Sequence, residues 1–211
     1  MNRIRRALVA AIGLSPLAAL AQQGMRYTEL KPAQPVEDQG KILVMEFFSY
    51  DCIHCYNFEP LIEKWEKGLA KDVRFDRVAA PFNEIWRRYA GAYYTFQTLG
   101  VLARVHRPFF DLRHRDQLRF PPDKPLESLD WLNNWLTKQN IEPKRFFEVM
   151  NSFSVQTMVR RAAQLTAAYK IEGTPEMAVH GRYTVSAEQT TSREGMLQTV
   201  DFLVDKIRKG Q

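Results

Sequence analysis

The sequence predicts an α/β fold interrupted by an inserted helical domain, and three observations carry that reading. Lys41-Ile-Leu-Val-Met-Glu-Phe-Phe48 is a nearly continuous apolar run, the pattern of a central strand buried on both faces. Helical periodicity follows it and gives way to a second strand-like run at Val73 to Ala79, which together make a βαβ unit. From Glu84 to Met150 the apolar spacing is helical, and strand patterns return only towards the C-terminal end.

The first strand is bounded by Gly40 and by Ser49-Tyr50-Asp51. Asp51 stands where an N-cap belongs, so a helix is expected from about Ile53 to Ala70. Phe58, Leu61, Ile62, Trp65 and Leu69 recur through it at helical spacing, so Pro60 should kink this helix rather than end it. Helices are then expected over Glu84 to Ala103, Leu126 to Gln139 and Pro143 to Met150. Pro143 sits in the first turn of the last, and Pro121-Pro122 and Pro125 separate the first two. A further helix, capped by Ser154, runs to Lys170 and stops near Gly173. Glu176 to His180 and Arg182 to Val185 flank Gly181 as a hairpin. Ser192 caps a final helix with Met196, Leu197, Val200, Leu203, Val204 and Ile207 on one face. With the helical block removed, the order is β-α-β-α-β-β-α, which is thioredoxin-like. The expected division is a signal peptide at 1–21, a first part of the thioredoxin-like domain at 22–85, an inserted helical domain at 86–150, and the second part at 151–211.

The signal peptide rests on Arg3, Arg5 and Arg6, an uncharged apolar run from Ala7 to Leu20, and the small-x-small pattern Ala19-Leu20-Ala21. The run is shorter than the ~20 apolar residues that span a bilayer, and no Cys follows the cleavage point, so neither an anchor nor a lipoprotein is expected. The formal charge of +6 falls to about +3 once the three leader arginines are removed. Such a mild balance favours solubility over any particular ligand, and an exported chain is not expected to meet nucleic acid. About 190 remaining residues suffice for one domain carrying an insertion.

The chain has two cysteines, Cys52 and Cys55, spaced C-x-x-C. Closing so short a loop removes little entropy from the unfolded chain, so the pair is better explained as a reactant than as a staple. Positions i and i+3 of a helix hold their Cβ atoms about 5–6 Å apart, close to what a disulfide requires. Cys52 falls at the helix start, where orphan N–H groups and the macrodipole favour an anion, which makes it the expected nucleophile. Cys55, one turn in, is the expected resolving thiol. His54 either adds to the stabilisation of a Cys52 thiolate or is a solvated histidine at a helix start. An illustrative Cys52 pKa of about 4 would stabilise the dithiol form by roughly 4 kcal/mol at pH 7, about 90 mV towards being an oxidant. A closed zinc site would need two more ligands, and His106, His114 and His180 include no close pair. No metal or other cofactor is expected.

Glu46-Phe-Phe-Ser-Tyr-Asp-Cys52-Ile-His-Cys55-Tyr-Asn-Phe-Glu59, with Gly173-Thr174-Pro175 downstream and a helical insertion between, closely resembles the DsbA family of periplasmic disulfide oxidants. The resemblance implies a thioredoxin-like fold with an inserted α-helical domain and a periplasmic location. It also implies donation of a Cys52–Cys55 disulfide to unfolded or reduced exported proteins. Reoxidation would come from a membrane partner of the DsbB type that passes electrons to quinone. A monomer is the simplest expectation. By position, Thr174-Pro175 matches the family's cis-proline pair, which faces the disulfide and binds substrate backbone; a trans turn proline is the alternative. Glu46 matches a buried acid beneath the disulfide, with a raised pKa and a role in relaying protons to or from Cys55; the alternative is an edge-strand Glu facing water. Ile53-His54 departs from the Pro-His of the best-known members, since Ile lacks proline's restraint on φ and restores a backbone N–H. Ile53 joins Thr174 and Pro175 as an expected substrate contact.

Other features are read more plainly. Arg104 to Arg119 is rich in Arg and His, but Asp111 and Asp116 are interspersed, so it reads as a solvated face. Trp131 and Trp135 read as core, and Tyr56 and Phe58 as apolar surface beside the site or, for Phe58, core. The competing functions are a disulfide reductase or isomerase, and a non-catalytic chaperone on the same fold.

Overall fold

The computed structural model describes residues 26–36 and 40–211; the expected signal peptide lies outside the described residues. The strands are β1 (Thr28–Glu29), β2 (Ile42–Phe48), β3 (Val73–Ala79), β4 (Glu176–Val179) and β5 (Tyr183–Ser186). The helices are α1 (Ile53–Glu66), α2 (Glu84–Thr98), α3 (Leu102–His114), α4 (Asp130–Lys138), α5 (Pro143–Met150), α6 (Phe153–Ala168), α7 (Ala187–Thr190) and α8 (Arg193–Arg208). The strands make one mixed sheet in the order β1-β5-β4-β2-β3, with β2 and β3 parallel and the other pairs antiparallel. This is the expected α/β fold, with α2 to α5 inserted between β3 and α6.

All of β2 is buried because the sheet is covered on both faces. Successive side chains of a strand alternate between faces. Leu43, Met45 and Phe47 therefore enter the core shared with the helical block, whereas Ile42 and Val44 pack with Phe58 and Ile62 of α1 and Leu203 of α8. Burying Phe58 or Ile62 is worth about 1.5–3 kcal/mol each relative to exposure. The same alternation puts Glu46 on the α1 face, under the helix that carries Cys55. Pro60 lies inside α1, which continues to Glu66.

Several boundaries differ from expectation. The helix expected over Glu84 to Ala103 is two helices. Gly100, at φ +69°, ends α2: its N–H donates to Gln97 O at 3.0 Å and the Val101 N–H donates to Phe96 O at 3.0 Å. That is a Schellman closure, which needs a left-handed residue and so favours glycine. The stretch read as a solvated face is largely α3, whose Val105, His106, Phe109, Phe110, Leu112 and Arg113 are buried. Its charged residues share a helix with a core-facing stripe, and that helical period outweighs the charge count. Ser152 rather than Ser154 caps α6, and Lys170 at φ +54° follows its end ahead of Gly173. Helix α1 stops short of Ala70, and the expected Leu126 to Gln139 helix is a 3₁₀ turn at Leu126–Ser128 followed by α4. Strand β1 and the single turn α7, closed by a Ser186/Gln189 capping box, are too short to show a period. At the β4–β5 turn, His180 and Gly181 both have positive φ, and a Cβ on Gly181 would stand 2.1 Å from Gln34 O. Only glycine lets the N-terminal segment pass so close.

Candidate redox site

Cys52 ends the β2–α1 connection and is itself the N-cap of α1: its Sγ accepts the Cys55 N–H at 3.4 Å. Asp51, expected in that role, is turned away to Arg113 of α3, with Nε 2.5 Å from Oδ1. A thiol can cap here because the sulfur takes the place of the usual oxygen acceptor, and that acceptor is the sulfur expected to be the nucleophile. Cys52 keeps 7% of its surface exposed and Cys55 none. Both are free thiols, so the geometry is that of the dithiol state.

The Cys55 thiol donates to Cys52, and this is the main reason the Cys52 pKa is pulled down from 9.0 to about 6. Burial opposes it, while the Thr174 side chain and the Cys55 and His54 backbones assist. Burial pushes Cys55 well up, reinforced by its hydrogen bond to Cys52 and by the charges of Cys52 and Glu46. The two shifts run in opposite directions, so the outer sulfur is the easier of the two to ionise.

Thr174-Pro175 is cis, and the Cys52 thiol reaches Thr174 O at 3.3 Å. His54 is exposed, and Ile53 is 47% exposed beside the sulfur. His54, Tyr169, Thr174, Pro175 and Glu176 all line one groove of about 1070 Å³. Cys52, Cys55, Thr174 and Pro175 are therefore brought together, with Ile53 and His54 at the rim.

Glu46 forms the floor. It is 1% exposed on a central strand, which excludes the edge-strand alternative. Burial pushes its pKa up to about 8, with Arg77 opposing and the charges of Glu59 and Cys52 adding to the rise. Arg77 Nε stands 3.2 Å from Glu46 Oε2, but neither Glu46 oxygen has hydrogen-bond geometry to a group among the described residues. The guanidinium instead donates to Glu59 Oε1 and to Glu66 Oε2, each at 3.0 Å. Burial also raises Glu59, but His106 and Arg77 outweigh it and hold Glu59 below the usual carboxylate range. His106 Nε2 lies 3.3 Å from Glu59 Oε1, and its Nδ1 lies 2.7 Å from the Tyr50 hydroxyl.

Sequence reasoning missed Glu59, Arg77, His106 and Arg113. Glu59 carried a usable signal, since it follows Cys55 by four residues and so shares its helix face. Arg77 also had one, being a charge in strand alternation with Val73 and Phe75. The α3 residues had none that did not require knowing the packing. Three more contacts tie that helix to the site: His114 Nε2 to Tyr50 O at 2.8 Å, the Tyr56 hydroxyl donating to Asp111 Oδ1 at 3.0 Å, and Tyr50 packed edge-on to Phe109 at 4.7 Å. Trp131 and Trp135 pack against the helical core, and Phe58 is fully buried. Among the described residues, no group of three or more His, Cys, Asp or Glu is arranged to hold a metal ion, and no helix is long and apolar enough to cross a membrane.

No family model matches the chain. Curated relatives do. The thiol:disulfide interchange protein DsbA of Azotobacter vinelandii is 35% identical over 188 residues, covering 89% of this chain and 85% of the relative. That of Bordetella parapertussis is 36% identical over 204 residues, covering 96% and 94%. The crystal structure of Pseudomonas aeruginosa DsbA superposes with a TM-score of 0.79 at 33% identity, covering 89% of this chain and 94% of that one.

Proposed function

We propose, from the premise that this chain belongs to the DsbA family of thiol:disulfide interchange proteins and is a protein disulfide oxidoreductase, that it works in the oxidising direction on unfolded exported proteins in the periplasm. The observation that carries the direction is the Cys52 sulfur capping α1, with its pKa drawn down to about 6. At pH 7 that stabilises the dithiol by about 1.4 kcal/mol, or about 30 mV, less than the illustrative pKa of 4 would give. Stabilising the reduced state makes the disulfide the stronger oxidant.

In the reaction a client thiolate attacks Cys52 Sγ, the Cys52–Cys55 bond breaks, and the electron pair passes to Cys55. Cys55 is buried and strongly favours its protonated form, so it takes up a proton. Glu46, with its pKa near 8, is protonated at neutral pH and is the buried acid below it. A second client thiolate then attacks the client sulfur of the mixed disulfide, and Cys52 leaves as the stabilised thiolate. The client keeps the disulfide and the protein keeps the two electrons. Thr174 and Pro175 hold the client backbone beside Cys52, Ile53 contributes apolar contact, and His54 lends its backbone N–H to the thiolate. A DsbB-type membrane partner removes the electrons to quinone. Residues 1–21 serve as the export signal, and the working unit is a monomer.

Equilibration of the protein with glutathione buffers, combined with the pH dependence of Cys52 alkylation, tests this. An oxidising couple with an alkylation midpoint near pH 6 is expected. A Cys52 that titrates like a free thiol, together with a strongly reducing couple, sinks the oxidase reading.

A further inference from the structure

We infer that Arg113 is a positioning residue of the redox site: it pins and neutralises Asp51, so that the carboxylate next to Cys52 does not work against the Cys52 thiolate. The inference rests on the redox reading above and adds a determinant of its strength. Asp51 immediately precedes the nucleophile, and a bare negative charge there opposes a second one on the adjacent sulfur. Arg113 comes from α3 of the helical insertion, is buried at 7% exposure, and sets Nε 2.5 Å from Asp51 Oδ1. A buried guanidinium requires a partner, and Asp51 supplies one. The pair therefore does two things at once: it satisfies Arg113, and it removes the field that Asp51 would impose on Cys52. Tyr89 and His114 lie within electrostatic range of the pair, Arg119 acts on both of them, and His114 also holds Tyr50 O, one residue further back.

The sign of the effect separates this role from simple bracing. At ~7 Å, the reach between adjacent side chains, and an effective dielectric of ~40, one unneutralised charge shifts an ionisation roughly tenfold. R113Q strips the neutralising cation: the Cys52 alkylation midpoint rises and the glutathione equilibrium moves about tenfold towards the disulfide, a weaker oxidant. D51N breaks the same bridge but leaves the cation, so the midpoint falls and the equilibrium moves by a similar factor towards the dithiol. The double variant returns close to the wild type, and R113K retains wild-type behaviour. If R113Q does not fold, D51N against D51E carries the test, with D51E expected to keep the wild-type equilibrium and D51N to shift it towards the dithiol. A brace with no electrostatic role moves both single variants the same way, or lowers only the unfolding midpoint; either result overturns the inference. Failure of the oxidase reading itself would show separately, in the wild-type protein, as a free-thiol-like Cys52.

Discussion

The mouth of the redox site and its floor treat negative charge in opposite ways. At the mouth, Cys52 meets the Cys55 thiol and the first N–H groups of α1, and its pKa falls to about 6. At the floor, burial pushes Glu46 up to about 8 and Cys55 higher than an ordinary thiol. The helix start offers an anion fixed dipoles in place of water. The floor offers Arg77, already hydrogen-bonded to Glu59 and Glu66, with His106 beside Glu59. The difference is what supports the proposed oxidising direction: the outer sulfur is the easier to ionise and the inner one the harder.

Replacing Cys52 with Ser removes the mouth's only sulfur and should reduce client oxidation to the uncatalysed background, read as the rate of thiol loss in a reduced client. Cys55→Ser should instead trap a mixed disulfide through Cys52, visible on non-reducing gels; trapping through the inner position would invert the comparison. Arg77→Met removes the cation shared by Glu46 and Glu59 and should cost about 3–5 kcal/mol in urea unfolding, with unchanged stability showing that the floor is not held by charge.

Smaller effects follow from pH. The depressed Cys52 pKa stabilises the folded dithiol above the free-thiol value of 9.0, and that contribution is lost as pH falls through about 6. The reduced protein should therefore gain stability over the oxidised protein between pH 6 and 9, by about 1.4 kcal/mol at pH 7, measured as the difference between their urea midpoints. Glu46 has the opposite sign: with its folded pKa raised from 4.5 to about 8, its contribution is full below pH 4.5 and is lost as pH rises towards 8. Glu46→Gln should thus gain on the wild type across that window in urea unfolding, while slowing client oxidation severalfold. A pH-independent difference would return Glu46 to a packing role.

Much of the frame was legible because it rests on local periodicity. Val73–Ala79 and Pro143–Met150 occupy the spans their patterns predict, and Ser192 caps the last helix as read. Misreadings fall where a residue's partner is distant in the chain. Asp51 has an N-cap's position and composition, yet a guanidinium 62 residues away takes its carboxylate and a sulfur caps in its place. Gly100 ends a helix without a visible break in the pattern, because the apolar period resumes beyond it in α3. The charges of α3 looked solvated because a one-dimensional count cannot tell which side of a helix meets the aromatic core.

By itself the sequence determined the βαβ unit, the helical insertion and the placement of Cys52 at a helix start, because strand alternation, helical period and the C-x-x-C spacing act within a few residues. The tertiary structure alone decided that Thr174 stands over the sulfur, that Arg77 mediates among the carboxylates of the floor, and that α3 grips the approach to Cys52 through Arg113 and His114. Those are electrostatic facts, and a charge acts according to distance and burial, which only the folded chain sets.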